Sequence, residues 1–219
     1  MAEMALQDRV AAPAAAESVD GRQDVAGISA INSIADPAPL GLGGFAATTF
    51  ALSLINAGLV GRGIVPMVLT LALFYGGAVQ LLAGLWEFRN NRNTFGAVAL
   101  STYGVFWLST WYLLSTAIGQ VPAGSRSVAL GIYLLVWTIF TLYMFIASLK
   151  LTVVHVVLFL CLLVTFIALT LGAFTGMAAL NVIGGGVGVL TAIVAWYAAA
   201  ALVVNSTFKK TVLPLIPLA

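Results

Sequence analysis

Charged residues are scarce in this chain: they make up 7% of 219 residues, and 62% are hydrophobic. Soluble domains carry about 25% charge, so a water-facing globule of this size could not cover itself. A disordered chain is excluded by the same hydrophobicity. There is one cysteine, Cys161, and one histidine, His155. That excludes an internal disulfide framework and any cysteine-based zinc site within one chain. No Ser-His-Asp set, HExxH, CxxC or Walker A motif can be assembled, and no GxGxxG lies between a strand and a helix. Neither a catalytic role, a metal nor a cofactor is expected. No apolar run carries repeated arginines, so a voltage sensor is excluded. The net charge of +2 is too small and too scattered for a nucleic-acid footprint.

What remains is apolar sequence in blocks. After Pro39 six runs follow, at about 40–60, 64–86, 95–118, 128–149, 152–174 and 182–204. Each approaches the ~20 residues that cross a bilayer as a helix, and none shows the period-two alternation of a barrel strand. The expected fold is an all-α integral membrane protein with six transmembrane helices per protomer. Residues 1–35 hold five of the seven acidic residues and no continuous apolar core, so they read as a disordered tail. The helical domain is expected over 36–208, with a short tail at 209–219. Six spans put both termini on one side. That side carries Arg9, Arg22, Arg89, Arg92, Lys150, Lys209 and Lys210, against Arg62 and Arg126 opposite. By the positive-inside rule both termini are cytoplasmic, in the cell's inner (plasma) membrane.

Helix spacing sorts the polar residues onto faces. Phe45, Thr48, Thr49, Leu52 and Asn56 share one stripe of the first span, and Gly76, Gln80, Ala83, Gly84 and Glu87 one of the second. Tyr103, Trp107 and Thr110 align on the third; Leu158, Leu162, Thr165 and Leu169 on the fifth; Gly184, Gly188, Thr191 and Ala195 on the sixth. Small residues at this spacing let helix backbones approach, so these faces should point into the bundle. Threonines in membrane helices also bond back to their own carbonyls, and Tyr or Trp near span ends commonly anchors the interface. Gln80 must find partners in protein or water, as helix glue or as pore lining. Glu87 reads as a boundary charge, and His155 as a packed or interfacial residue.

The first helix opens with Asp36-Pro37-Ala38-Pro39-Leu40-Gly41-Leu42. Asp36 suits a cap and Pro37 the first helical position. The helix start presents unpaired N–H groups and partial positive charge, a setting for a carboxylate.

That segment resembles the Asn-Pro-Ala-Pro-Leu-Gly-Leu signature of the acetate uptake transporter family, also called GPR1/FUN34/YaaH, which includes bacterial succinate–acetate permeases. The likeness continues through Phe74-Tyr75-Gly76-Gly77-Ala78-Val79-Gln80, Ala83-Gly84-Leu85-Trp86-Glu87-Phe88 and Asn93-Thr94-Phe95-Gly96. It runs on through Ser101-Thr102-Tyr103-Gly104-Val105-Phe106-Trp107 to Phe208-Lys209-Lys210-Thr211-Val212-Leu213-Pro214, covering roughly 36–217. The resemblance implies a homo-hexamer with a pathway through each protomer for acetate and related short carboxylates, in some members succinate. It implies a neck of Phe45 and Tyr103 by motif, and of Leu162 by counting on from Ser148-Leu149-Lys150. One departure stands out: Asp36 replaces the family's leading Asn, and its carboxylate would repel an anion, which favours a structural cap.

With no mid-membrane cation, a carboxylate would rely on neutral donors, for which Thr48, Thr49, Gln80 and Tyr103 are the candidates. Passage would be channel-like, with proton co-transport as an open variant. Two other readings compete. One is a channel for urea or short amides. The other is a membrane sensor or scaffold, supported by the long tail alone.

Overall fold

A bilayer offers no water to pair backbone N–H and C=O groups, so an apolar run must satisfy them within itself. All six runs do so as helices in the computed structural model, which describes residues 35–90 and 93–218. They are α1 (Ala38–Asn56), α2 (Arg62–Asn90), α3 (Thr94–Gln120), α4 (Ala123–Ser148), α5 (Val153–Thr175) and α6 (Ala178–Phe208), each long and apolar enough to cross a membrane. The shortest has 19 residues, about 28 Å at 1.5 Å per residue, close to the thickness of the hydrocarbon core. The tail expected over 1–35 falls, Ala35 apart, outside the described residues, as do Arg9, Arg22 and Arg92 of the charge count.

Local chemistry sets the helix ends. The Asp36 carboxylate accepts the Ala38 N–H at 2.9 Å, and Pro39 rather than Pro37 occupies the first turn of α1. Asn93 Oδ1 accepts the Gly96 N–H at 2.9 Å to start α3. Thr152 Oγ1 accepts the His155 N–H at 3.3 Å to start α5. Gly176, at φ +72°, closes α5 in the left-handed conformation that a side chain would strain. Arg126 caps α3 from outside, its Nε donating to Val121 O at 3.0 Å and its Nη2 to Gly119 O at 3.2 Å.

The helices pack as a ring. α1 lies between α2 and α6, α6 against α5, α5 against α4, α2 against α3, and a lighter α3–α4 contact closes the circle. Two wide π turns interrupt the spans, Phe74–Val79 in α2 and Leu113–Ala117 in α3. The first brings Gly76 so close to its neighbours that a Cβ there would lie 2.5 Å from Thr48 Oγ1 and 2.9 Å from Trp107 Cδ1. About two turns further along α2, Gly84 rests directly on the backbone of Ser101 in α3. These small residues let α1, α2 and α3 share one seam.

The expected inward stripes are the buried ones, save Leu52, Asn56 and Leu169, which are half-buried. Gly76, Gln80, Ala83, Gly84 and Glu87 are all buried, as are Tyr103, Trp107 and Thr110, and Gly184, Gly188, Thr191 and Ala195. Large apolar side chains such as Ile132, Val136, Ile139 and Ile146 of α4 face outward instead. That is inverted for a soluble protein and natural for one solvated by lipid. The core is a knot of aromatic and aliphatic side chains, among them Phe45, Tyr103, Phe106, Trp107, Phe140, Phe159, Leu162 and Phe166.

Candidate functional site

Two cavities enter the ring from opposite ends. The inner end is taken as that where α1 begins and α6 stops. The inner cavity, ≈ 370 Å³, is lined by Asp36, Ala38 and Leu42 at its rim and by Phe45, Gln80, Tyr103 and Leu162 deeper in. The outer cavity, ≈ 400 Å³, is lined by Leu52, Asn56, Arg62, Phe106, Thr110 and Tyr133, among others. The two share no lining residue. What separates them is the aromatic knot.

Phe45, Tyr103 and Leu162 therefore converge, from α1, α3 and α5, and each is at most 4% exposed. The Phe45 and Tyr103 rings lie 5.6 Å apart at 57°. Tyr103 packs edge-on against Phe140 at 5.0 Å. Its hydroxyl meets Thr141 Oγ1 at 2.9 Å. Thr141 Oγ1 already donates to Trp137 O at 2.7 Å, so the Tyr103 hydroxyl is the donor in this pair. Tyr103 thus turns its ring to the neck while its proton is committed to α4.

The other expected donors divide. Thr48 lines neither cavity; its hydroxyl donates to Gly44 O at 2.9 Å, the back-bond common in membrane helices. Thr49 is buried and its Oγ1 has no hydrogen-bond partner among the described residues. The same holds for Gln80 Oε1, Trp107 Nε1 and Thr165 Oγ1. Such groups cost about 1–3 kcal/mol each when left unpaired, so they call for an explanation.

Their positions supply one. Thr49, Trp107 and Thr165 follow Phe45, Tyr103 and Leu162 by four, four and three residues on three helices that all run outward. At 1.5 Å per residue they form a polar tier ~5 Å beyond the neck that, like Thr48, lines neither cavity, ahead of Leu52, Thr110 and Leu169 of the outer one. Trp107 and Thr165 belong to the inward stripes but were not among the expected site residues. The signal that could have found them is their register, one turn on from a neck residue.

Of the helix-start motif, Asp36, Ala38 and Leu42 reach the inner cavity. Pro37, Pro39, Leu40 and Gly41 do not line it; Gly41 packs against Leu100 and Leu40 is half exposed. Glu87 is 5% exposed and lines the inner cavity with Lys150 and His155. The His155 ring is held by Thr152, Nδ1 to Oγ1 at 2.8 Å, and edge-on by Phe95.

The sequence profile of the GPR1/FUN34/yaaH family matches residues 25–219. The chain belongs to that family. It is 43% identical over 173 residues to "Ammonia transport outward protein 2" of Saccharomyces cerevisiae, a match covering 76% of this chain and 61% of that one. The chain thus spans about three-fifths of the length of that yeast relative. It is 40% identical over 183 residues to the "Succinate-acetate/proton symporter SatP" of Escherichia coli K12, covering 83% of this chain and 95% of that one. A solved structure described as the bacterial acetate channel SatP superposes with a TM-score of 0.77 at 40% identity, covering 84% of this chain and 99% of that one. The six-helix ring is therefore the family's fold.

Proposed function

We propose that the protein is a non-enzymatic membrane transporter for acetate and related short carboxylates, succinate among them, with channel-like passage through each protomer. The observation that carries this reading is the pair of vestibules meeting at an apolar neck, with uncommitted neutral donors one turn beyond it. The names of the bacterial relatives support the substrate class. The transport domain is 36–208, with the segment from 209 on the inner face. Six copies assemble in the cell's inner (plasma) membrane with both termini cytoplasmic. The apolar faces exposed on α4 suit contact with lipid and neighbouring copies.

The chemistry follows from the side chains. A carboxylate with a pKa near 4.3 is an anion at neutral pH. Past the outer vestibule, as the pathway opens, it sheds water in stages to the Trp107 N–H and the Thr49 and Thr165 hydroxyls, which lie buried behind the vestibule lining. Phe45, Tyr103 and Leu162 then form a dry constriction, closed in this structure, that opens for a small methyl-bearing acid and disfavours hydrated ions. On the inner side the anion meets Gln80 and leaves past Lys150. An inside-negative potential of 100 mV opposes anion entry by about 2.3 kcal/mol, so uptake needs either a steep gradient or an accompanying proton.

Labelled-acetate uptake into proteoliposomes, with pH and voltage set separately, tests the reading. Acetate and propionate should compete with the label, and urea and ammonium should not. Competition by urea or ammonium with none by carboxylates would overturn it.

A further inference from the structure

Two arginines mark the outer face, and the structure gives them different tasks. Arg126 is occupied, its guanidinium donating to the carbonyls of Val121 and Gly119 at the end of α3. The Arg62 guanidinium makes no hydrogen bond or ion pair among the described residues, and Arg62 lines the outer cavity. Among the described residues no other charged side chain lines that cavity; the remaining polar lining is Asn56, Asn181, Thr110 and Tyr133, set among leucines and phenylalanines. The inner cavity is lined differently, by the carboxyl groups of Asp36 and Glu87 against the ammonium of Lys150. The two mouths are opposite in sign.

We propose that Arg62 is the carboxylate-capturing residue of the outer vestibule, which makes the two faces of the pathway unequal in their affinity for anions. This rests on the carboxylate-transport reading above. A guanidinium is planar, always charged and weakly hydrated, and its paired N–H groups match the two oxygens of a carboxylate. Placed in a concavity with apolar walls, one cation raises the local anion concentration far more than on an open surface. The nearby amides of Asn56 and Asn181 add donors on the route inward from Arg62 to the Thr49–Trp107–Thr165 tier. At the inner mouth the acidic pair works the other way, so the asymmetry favours loading from outside.

The test measures acetate flux in right-side-out and in inside-out vesicles carrying the full-length protein, at low and at high ionic strength. In Arg62→Gln, the half-saturating acetate concentration at the outer face should rise about tenfold at low salt, with maximal flux retained. The difference should shrink severalfold at ~1 M salt, where screening reaches ~3 Å. Arg62→Glu should exceed the Gln variant, Arg62→Lys should stay within about threefold of wild type, and inner-face half-saturation should hold while maximal efflux falls in the same proportion, as reversibility of a passive pathway requires. An Arg62 that merely anchors α2 to lipid phosphate would leave outer-face half-saturation unchanged in Arg62→Gln, and that result overturns the proposal. So would an equal change in half-saturation at both faces, or one insensitive to salt. Wild-type vesicles that carry no carboxylate at all would instead overturn the transport reading itself.

Discussion

The hydroxyl of Tyr103 donates to Thr141 Oγ1 across 2.9 Å, tying α3 to the middle of α4 beside the proposed neck. A tyrosine at a constriction invites the view that its hydroxyl serves the substrate. Here that proton is already engaged, and only the ring is left to face Phe45 in the proposed neck. The bond is a restraint on where the ring sits.

Tyr103→Phe separates these roles. Loss of one buried hydrogen bond should lower stability by about 1 kcal/mol, read as a drop in thermal midpoint in detergent. Acetate flux should rise, because the ring keeps its apolar surface and loses its tether. A fall of flux to background would show that the hydroxyl contacts the substrate after all.

Phe45→Ala and Leu162→Ala should widen the neck without touching a polar group. Both side chains are at most 4% exposed, so each truncation should destabilise the fold by about 2–5 kcal/mol, which thermal unfolding would register. The expected gain is permeability: monocarboxylates longer than the four carbons of succinate, which the native neck should exclude, should enter at rates approaching that of acetate. Retention of the native size limit in both variants would remove these residues from the constriction.

The polar tier makes opposite predictions for stability and transport. Thr49→Val and Thr165→Val each replace a buried hydroxyl that lacks a protein partner with a methyl group of the same shape. If these groups were structural, the variants would lose stability. As substrate donors, their removal relieves a desolvation penalty of about 1–3 kcal/mol, so thermal midpoints should hold or rise while flux falls severalfold. Midpoints and uptake rates measured on the same preparations decide between them.

Much of this was legible in the sequence because membrane helices obey few rules. Run length located all six spans, and a stripe such as Gly76–Gln80–Ala83–Gly84–Glu87 is buried at every position. The convergence of Phe45, Tyr103 and Leu162 followed from motif likeness and register together. Hydrogen-bond commitments were not legible. Whether Thr48 or Thr49 keeps a free hydroxyl depends on which carbonyl lies within reach, and the stripe treats the two alike. The partner of Tyr103 sits on another helix, 38 residues away, where no local pattern points. Trp107 was hidden by its size, since a tryptophan on a buried face reads as packing until its N–H is found without a partner. The π turn at Phe74–Val79 is likewise set by how α2 must fit against α1 and α3.

The chain beyond α6 was expected only as a short tail, yet it is bound at both of its ends. After Lys209, at φ 54°, it turns back, and Asn205 accepts the Val212 and Leu213 N–H groups at 2.7 and 2.9 Å while donating to Leu213 O at 2.8 Å. Tyr197 donates to Pro214 O at 2.8 Å. Further on, Ile216 O accepts the Val153 N–H at 2.9 Å, pairing an N–H that the first turn of α5 cannot satisfy itself. The strap thus reaches the turn that carries Lys150, Leu151 and Thr152 into the inner cavity. Asn205→Ala removes three hydrogen bonds and should cost about 3 kcal/mol, whereas Asn205→Asp keeps both acceptor contacts and should cost less. Limited proteolysis from the inner side should cut the Ala variant in the strap at least severalfold faster than wild type, with Asp between them. Equal protection in all three proteins would mean that the strap is held by its apolar side chains and not by Asn205.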